Sequence, residues 1–189
     1  MVRLIAPDEI PRVAGALARS FDDDPVAVFA NPRATSRPAR LRFFFSGRLA
    51  ALLPEEMCFC DEELRGAAIW APHDRFRPGT RESLRLLRLL LPRSPLVLTG
   101  FARMERHHPN EPHYYLQTLG VAPEAQGEGL GSKLMAPMLE RCDREGVPAY
   151  LESSKERNIA FYGRHGFRVT EEIRFPRGPR LWLMWRDPR

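Results

Sequence analysis

Apolar positions along the chain fall into runs whose spacing switches between strand and helix periods. Val2 to Ala6 alternates weakly and predicts a strand. From Asp8, which can cap a helix, Ile10, Val13 and Leu17 recur on one helical face as far as Arg19. The acidic run Asp22, Asp23, Asp24 and then Pro25 ends that helix, and as a charge run it reads as a solvated loop, with attraction of a cationic ligand as the alternative. A second helix is expected over Pro38 to Leu53, because proline is tolerated in a first turn and Leu41, Phe44, Phe45, Leu49 and Leu52 share one face. Pro54 stops it. Met57 to Cys60 and Ala67 to Trp70 are short apolar runs around the polar Asp61 to Gly66, the pattern of an antiparallel hairpin. Arg81 to Leu91, between Pro78 and Pro92, predicts an amphipathic helix with Arg81, Arg85 and Arg88 along one side. Pro95 to His107 predicts another, although Gly100, Val97 and Thr99 weigh against it. These two make a helical insertion at about 78–108 in what is otherwise one domain spanning 1–189.

The second half has a clearer rhythm. His113 to Val121 reads as a strand, Leu130 to Glu145 as a helix, Ala149 to Ser153 as a strand and Asn158 to Arg164 as a short helix. Phe167 to Ile173 and Leu181 to Trp185 follow as strands, joined by a turn over Pro176 to Pro179. The fold class is α/β, with helices flanking the sheet.

Between the strand ending at Val121 and the helix starting at Leu130 lies Gln126-Gly127-Glu128-Gly129-Leu130-Gly131. Glycines there let backbone N–H groups converge where the helix dipole is positive, so an anion is the natural ligand. Taken alone, the turn is equally a tight strand-to-helix connection. It departs from the dinucleotide-binding fingerprint, whose third glycine comes later, and from the Walker loop, since no glycine precedes Lys133 at the required place.

Context narrows the choice. Leu119-Gly120-Val121, Pro123 and Gln126-Gly127-x-Gly129-x-Gly131, followed by Asn158, Phe161-Tyr162 and Gly166-Phe167, resemble the two ordered signatures of the GCN5-related N-acetyltransferase superfamily. The likeness extends to puromycin N-acetyltransferase and its relatives through Glu111-Pro112 to Gly131, Gly146 to Ala149, Leu151-Glu152 and Arg157-Asn158. The resemblance implies a mixed, mostly antiparallel sheet that splits between its fourth and fifth strands to admit acetyl-coenzyme A. By the same resemblance, main-chain groups of Leu119, Gly120 and Val121 hold the pantetheine arm, and Gln126, Gly127, Glu128, Gly129, Leu130, Gly131 and Ser132 cradle the pyrophosphate. Asn158 hydrogen-bonds the arm farther along. Tyr162 then lies near the cofactor sulfur, where it aids the departing thiolate or merely packs. Glu152 is a candidate base or a satisfied polar residue at a strand end. The implied activity is acetyl transfer to the amine of a small molecule, antibiotic-like or aminonucleoside-like, with a protein N-terminus or lysine, or non-catalytic acyl-CoA binding, as alternatives.

Other chemistry changes this picture little. Tyr115 alternates with Gln117 and Leu119, which places the three on one face, and His113 begins the same strand half-exposed. A net charge of +5 suits a polyanionic co-substrate, though of 29 basic residues only Lys133 and Lys155 are lysines, a bias that reflects base composition. No basic block is interleaved with aromatics, so nucleic acid is not expected as a partner. Neither His107-His108 nor Cys58-x-Cys60 has further ligands at zinc spacing, and no metal is expected. Three cysteines, with Cys58 and Cys60 on one strand face, fit a reducing, cytoplasmic setting. No leader pattern opens the chain and the leucine-rich stretch is broken by arginines, so neither secretion nor membrane insertion is expected. A homodimer is left open.

Overall fold

The computed structural model describes residues 1–75 and 94–189. Among these, seven strands make one sheet: β1 Val2–Leu4, β2 Cys58–Asp61, β3 Gly66–Pro72, β4 Tyr114–Val121, β5 Ala149–Ser153, β6 Arg168–Arg174 and β7 Arg180–Arg186, in the order β1-β2-β3-β4-β5-β7-β6. Each neighbouring pair is antiparallel except β4 with β5, which is parallel. Six α-helices flank it among the described residues: α1 Ile10–Ser20, α2 Pro25–Ala30, α3 Arg37–Leu52, α4 Ser94–Arg106, α5 Leu130–Glu145 and α6 Ile159–Arg164. The expected α/β class with a mostly antiparallel sheet is what the chain adopts. Arg81 to Leu91 lies outside the described residues.

Strand periodicity distributes the core over two layers. Ala67, Ile69 and Ala71 of β3 pack with Cys58 and Cys60 against Val13, Leu17, Leu41, Phe45 and Leu49 of α1 and α3. The alternate residues Ala68 and Trp70 pack with Leu134, Met135 and Met138 of α5 on the other face. β3 is therefore apolar throughout because both of its faces are covered. A third cluster joins Tyr115, Tyr150, Phe175, Leu183 and Trp185 to Phe101 and Met104 of α4 and Phe29 of α2. Gly100, which weighs against a helix in the sequence, is what lets α4 seat: a Cβ there would come within 2.3 Å of the Phe175 ring.

The acidic run departs from its expectation at one residue. Asp22 and Asp23 lie in a solvated turn, their side chains 44% and 67% exposed, but Asp24 is buried and caps a further helix, α2, accepting from the backbone N–H groups of Val26 at 2.9 Å and Ala27 at 3.1 Å. Asp22 pairs with Arg37 at 3.0 Å and Asp23 with Lys155 at 2.6 Å. The other carboxylate oxygen of Asp24 accepts from the Ser154 hydroxyl just beyond β5. The run thus ties the α1–α2 connection to the end of β5.

Two departures from regular pairing shape the centre of the sheet. β4 and β5 pair only at Tyr114 with Ala149 and Tyr115 with Tyr150, then part, which is the expected split. On the other side of β4, Ile69 pairs with Thr118 but Trp70 with Leu116, leaving Gln117 as a bulged residue. The bulge breaks the simple alternation. Tyr115 joins the cluster under α4 whereas Leu116 and Leu119 join that under α5, so Tyr115 and Leu119 do not share a face.

Candidate active site

The glycine turn sits at the open end of the split. Gly127 and Gly129 have φ of 87° and 74°, and a Cβ on either would meet nothing within 4 Å, so backbone is presented to open space. A side chain would be strained at both positions. Gly129 is also the residue before α5, and the first helical bond behind it runs from Lys133 N–H to Gly129 carbonyl at 3.2 Å. N–H groups of the first turn of α5 thus point outward at the positive end of a sixteen-residue helix. Gly131 has a different reason: its Cβ would lie 3.2 Å from the Phe161 ring of α6.

The side chains of the turn mostly brace it. Gln126 Nε2 donates back to the Val121 carbonyl at 2.9 Å, closing the connection to β4. Glu128 faces Arg65 at 3.6 Å, Leu130 is buried, and Ser132 shares a 2.9 Å hydrogen bond with His165 Nε2. The segment therefore presents mainly its main-chain N–H groups. Gly120 has a packing task, since a Cβ would come 2.7 Å from Leu17 of α1 and 3.0 Å from Phe21 just after it. Leu119 and Val121 border the split, and past Tyr115 neither has a strand partner on the β5 side. Asn158 precedes α6 half-exposed, and its side chain makes no cap bond to that helix.

Tyr162, on α6, is 8% exposed and packs edge-on against Phe161 and Phe167 in the α5 cluster. Burial first, and the Asp24 carboxylate second, push its phenol well above the usual range. It therefore stays protonated, so that its O–H is available as a donor.

Glu152 lies on the opposite face. Its side chain is 4% exposed and Oε1 stands 3.5 Å from Nδ1 of His108, a residue just after α4. The rings of Tyr115 and Tyr150 stand edge-on to His108 with centroids at 5.0 and 4.9 Å. Burial and then the Glu152 carboxylate push both phenols up. Glu152 Oε1 and the Tyr150 hydroxyl are buried and make no well-formed hydrogen bond, though each lies within the other's electrostatic reach. Arg48 from α3 donates to Gln117 at 2.6 Å beside this cluster, giving it a buried cation. His113 is buried, not half-exposed as a strand-end position suggests.

Sequence spacing brings out the turn, Asn158, Tyr162 and Glu152; it shows Asp24 only as part of a charge run and His108 only as half of a histidine pair, and Arg48 not at all. His108 and Glu152 are far apart in the chain and belong to no common motif; only packing of α4 on the sheet joins them. Among the described residues no group of three His, Cys, Asp or Glu side chains is placed to hold a metal. Also among them, no helix is long and apolar enough to cross a membrane.

Comparison with known proteins agrees with this geometry. The model of the Acetyltransferase (GNAT) family matches residues 56–167, more than half of the chain. An uncharacterized N-acetyltransferase of Schizosaccharomyces pombe is 38% identical over 78 residues, 40% of this chain and 32% of that protein. N-alpha-acetyltransferase 50 of Danio rerio is 29% identical over 69 residues, 34% of this chain and 41% of that protein. The matched stretch thus spans less than half of either relative. Among solved structures, a histone acetyltransferase HPA2 and related acetyltransferase from Corynebacterium glutamicum has a TM-score of 0.74 at 25% identity, covering 100% of this chain and 96% of that one. Arylalkylamine N-acetyltransferase 2 of Aedes aegypti has a TM-score of 0.67 at 15% identity, covering 100% and 99%.

Proposed function

The chain belongs to the acetyltransferase (GNAT) family, and from that premise we propose that it moves an acetyl group from acetyl-CoA to the amine of a small molecule. The observation that carries the acceptor class is the enclosure of Glu152, whose side chain is 4% exposed beneath helices on its own face. An open groove for a polypeptide would leave that carboxylate in solvent.

The residues fit the donor. A cradle of left-handed glycines before a helix start suits a pyrophosphate, and a strand edge without a partner suits an amide-bearing arm. Acetyl-CoA supplies an activated acyl group as a thioester. Gly127 to Ser132 bind its pyrophosphate through main-chain N–H groups, Leu119 and Val121 align the arm, and Asn158 holds it farther along. Glu152 takes the proton from the acceptor ammonium, leaving an electron pair on nitrogen free to attack. The Tyr162 hydroxyl donates a hydrogen bond to the sulfur as charge develops there. Its raised proton affinity makes a strengthening hydrogen bond the right form of assistance, rather than early proton transfer.

The reading is tested with purified protein, acetyl-CoA and a panel of arylalkylamines, polyamines, aminoglycosides and aminonucleosides. A mass gain of one acetyl group with matching release of free thiol is expected for at least one small amine. If every amine is inert and a peptide array is acetylated, the acceptor is a protein. The match to N-alpha-acetyltransferase 50 favours that second reading over the remaining alternatives.

A further inference from the structure

His113, at the entry to β4, is 2% exposed and its Nδ1 lies 2.7 Å from the Glu111 carbonyl oxygen. A carbonyl oxygen only accepts, so Nδ1 carries the proton. Burial keeps the ring neutral, lowering its pKa to about 4, and a neutral ring protonated at Nδ1 has only a lone pair at Nε2. That lone pair stands 3.1 Å from Nε2 of His108, which must therefore be the N–H donor. His108 is left with Nδ1 directed at Glu152 Oε1, 3.5 Å away, with both side chains 4% exposed. Two acceptors face one another there unless a proton lies between them.

We infer that His108 is a positioning residue for Glu152: held in the Nε2–H tautomer by His113, it forms with Oε1 a pair that takes up one proton through Nδ1. This rests on the reading of Glu152 as the group that deprotonates the acceptor. In the step, an N–H bond of the ammonium breaks, its electron pair stays on the amine nitrogen, and a bond to the proton forms at the pair. No other proton need move.

The surroundings act in both directions. Arg48 from α3 is a cation near Tyr115 and opposes loading, while Glu171 of β6, near Tyr150, favours it. The neutral Tyr115 and Tyr150 hydroxyls, on β4 and β5, are hydrogen-bond donors beside Glu152 and favour its ionised form. His73, beyond β3, stands behind His113 with ring centroids 6.1 Å apart and opposes a second positive charge there.

The test requires no acyl acceptor. Two-dimensional 1H–15N spectra of the histidine side chains in the full chain are recorded from pH 5 to 9, for wild type, Glu152→Gln and His108→Gln. Expected are a His113 ring protonated at Nδ1 and neutral throughout, and a His108 ring that keeps its Nε2 proton. The His108 midpoint should fall by at least one pH unit in Glu152→Gln, a tenfold loss of proton affinity. The glutamine at position 108 can still donate to His113, so the His113 tautomer should survive in that variant. Wild-type spectra with the opposite tautomer at either ring, or a His108 midpoint indifferent to Glu152→Gln, overturn the inference. Normal acetyl transfer by Glu152→Gln alongside the expected spectra would instead fail the proposed role of Glu152 and leave the pair standing.

Discussion

Arg48 Nε donates to Gln117 Oε1 at 2.6 Å, so α3 grips the bulge at the place where β4 leaves β5. The guanidinium is buried, and removing an acceptor from a buried charge costs more than the bond is worth in water. Gln117→Ala is expected to lower stability by about 2 kcal/mol in urea unfolding. It should also lower kcat/KM, because the split is shaped at that residue. Unaltered unfolding would show that the bond does not hold the bulge.

The cradle makes a sharper demand on its backbone than on its side chains. Gly129→Ala forces a Cβ onto φ of 74°, a cost of about 1 kcal/mol, and places a methyl in the open space of the proposed pyrophosphate cradle. Calorimetric titration with CoA should show affinity down by about tenfold or more. Glu128→Gln, whose side chain turns to Arg65, should bind CoA within about twofold of wild type.

Tyr162→Phe removes a buried hydroxyl and leaves the ring packed between Phe161 and Phe167. A fall in kcat of about 100-fold with little change in KM for acetyl-CoA is expected if the hydroxyl helps the thiolate leave. Full turnover in the variant would reduce Tyr162 to a packing residue.

His113 gives stability a direction with pH. Its pKa falls from 6.5 to about 4 on folding, burial being the main cause, so between those values the unfolded chain binds more protons than the folded one. The contribution is intact above pH 6.5 and is lost progressively as pH falls toward 4. Unfolding measured at steps through this window should reveal a loss that His113→Gln flattens. A parallel slope in the variant would assign the acid sensitivity elsewhere.

The thiols offer a check on the core. Burial pushes Cys58 and Cys142 up to about 12 and Cys60 to about 11, and all three are free and buried. Alkylation at pH 8 should wait for unfolding. Rapid labelling of the native protein at Cys58 would mean that α3 does not cover β2.

Much of this molecule is local in origin and so readable along the chain. Helix and strand periods placed α3, α5 and β3 to β5 within a few residues, since burying one face imposes those periods wherever a core exists. The glycine turn was readable because left-handed backbone needs particular residues at particular positions. Gly100 and Asp24 were legible only as a weak helix residue and a charge. Their meaning comes from Phe175 and Ser154, which reach them across the fold.

By itself, the sequence determined the alternation of elements, a left-handed glycine turn before α5, and the order of motifs that marks the family. Tertiary structure alone decided where β4 and β5 part, that Tyr115 and Leu119 take opposite faces, and that His108 meets Glu152. Periodicity and turn chemistry act between neighbours in the chain, whereas a bulge's effect on facing and a buried proton site depend on which distant surfaces are pressed together.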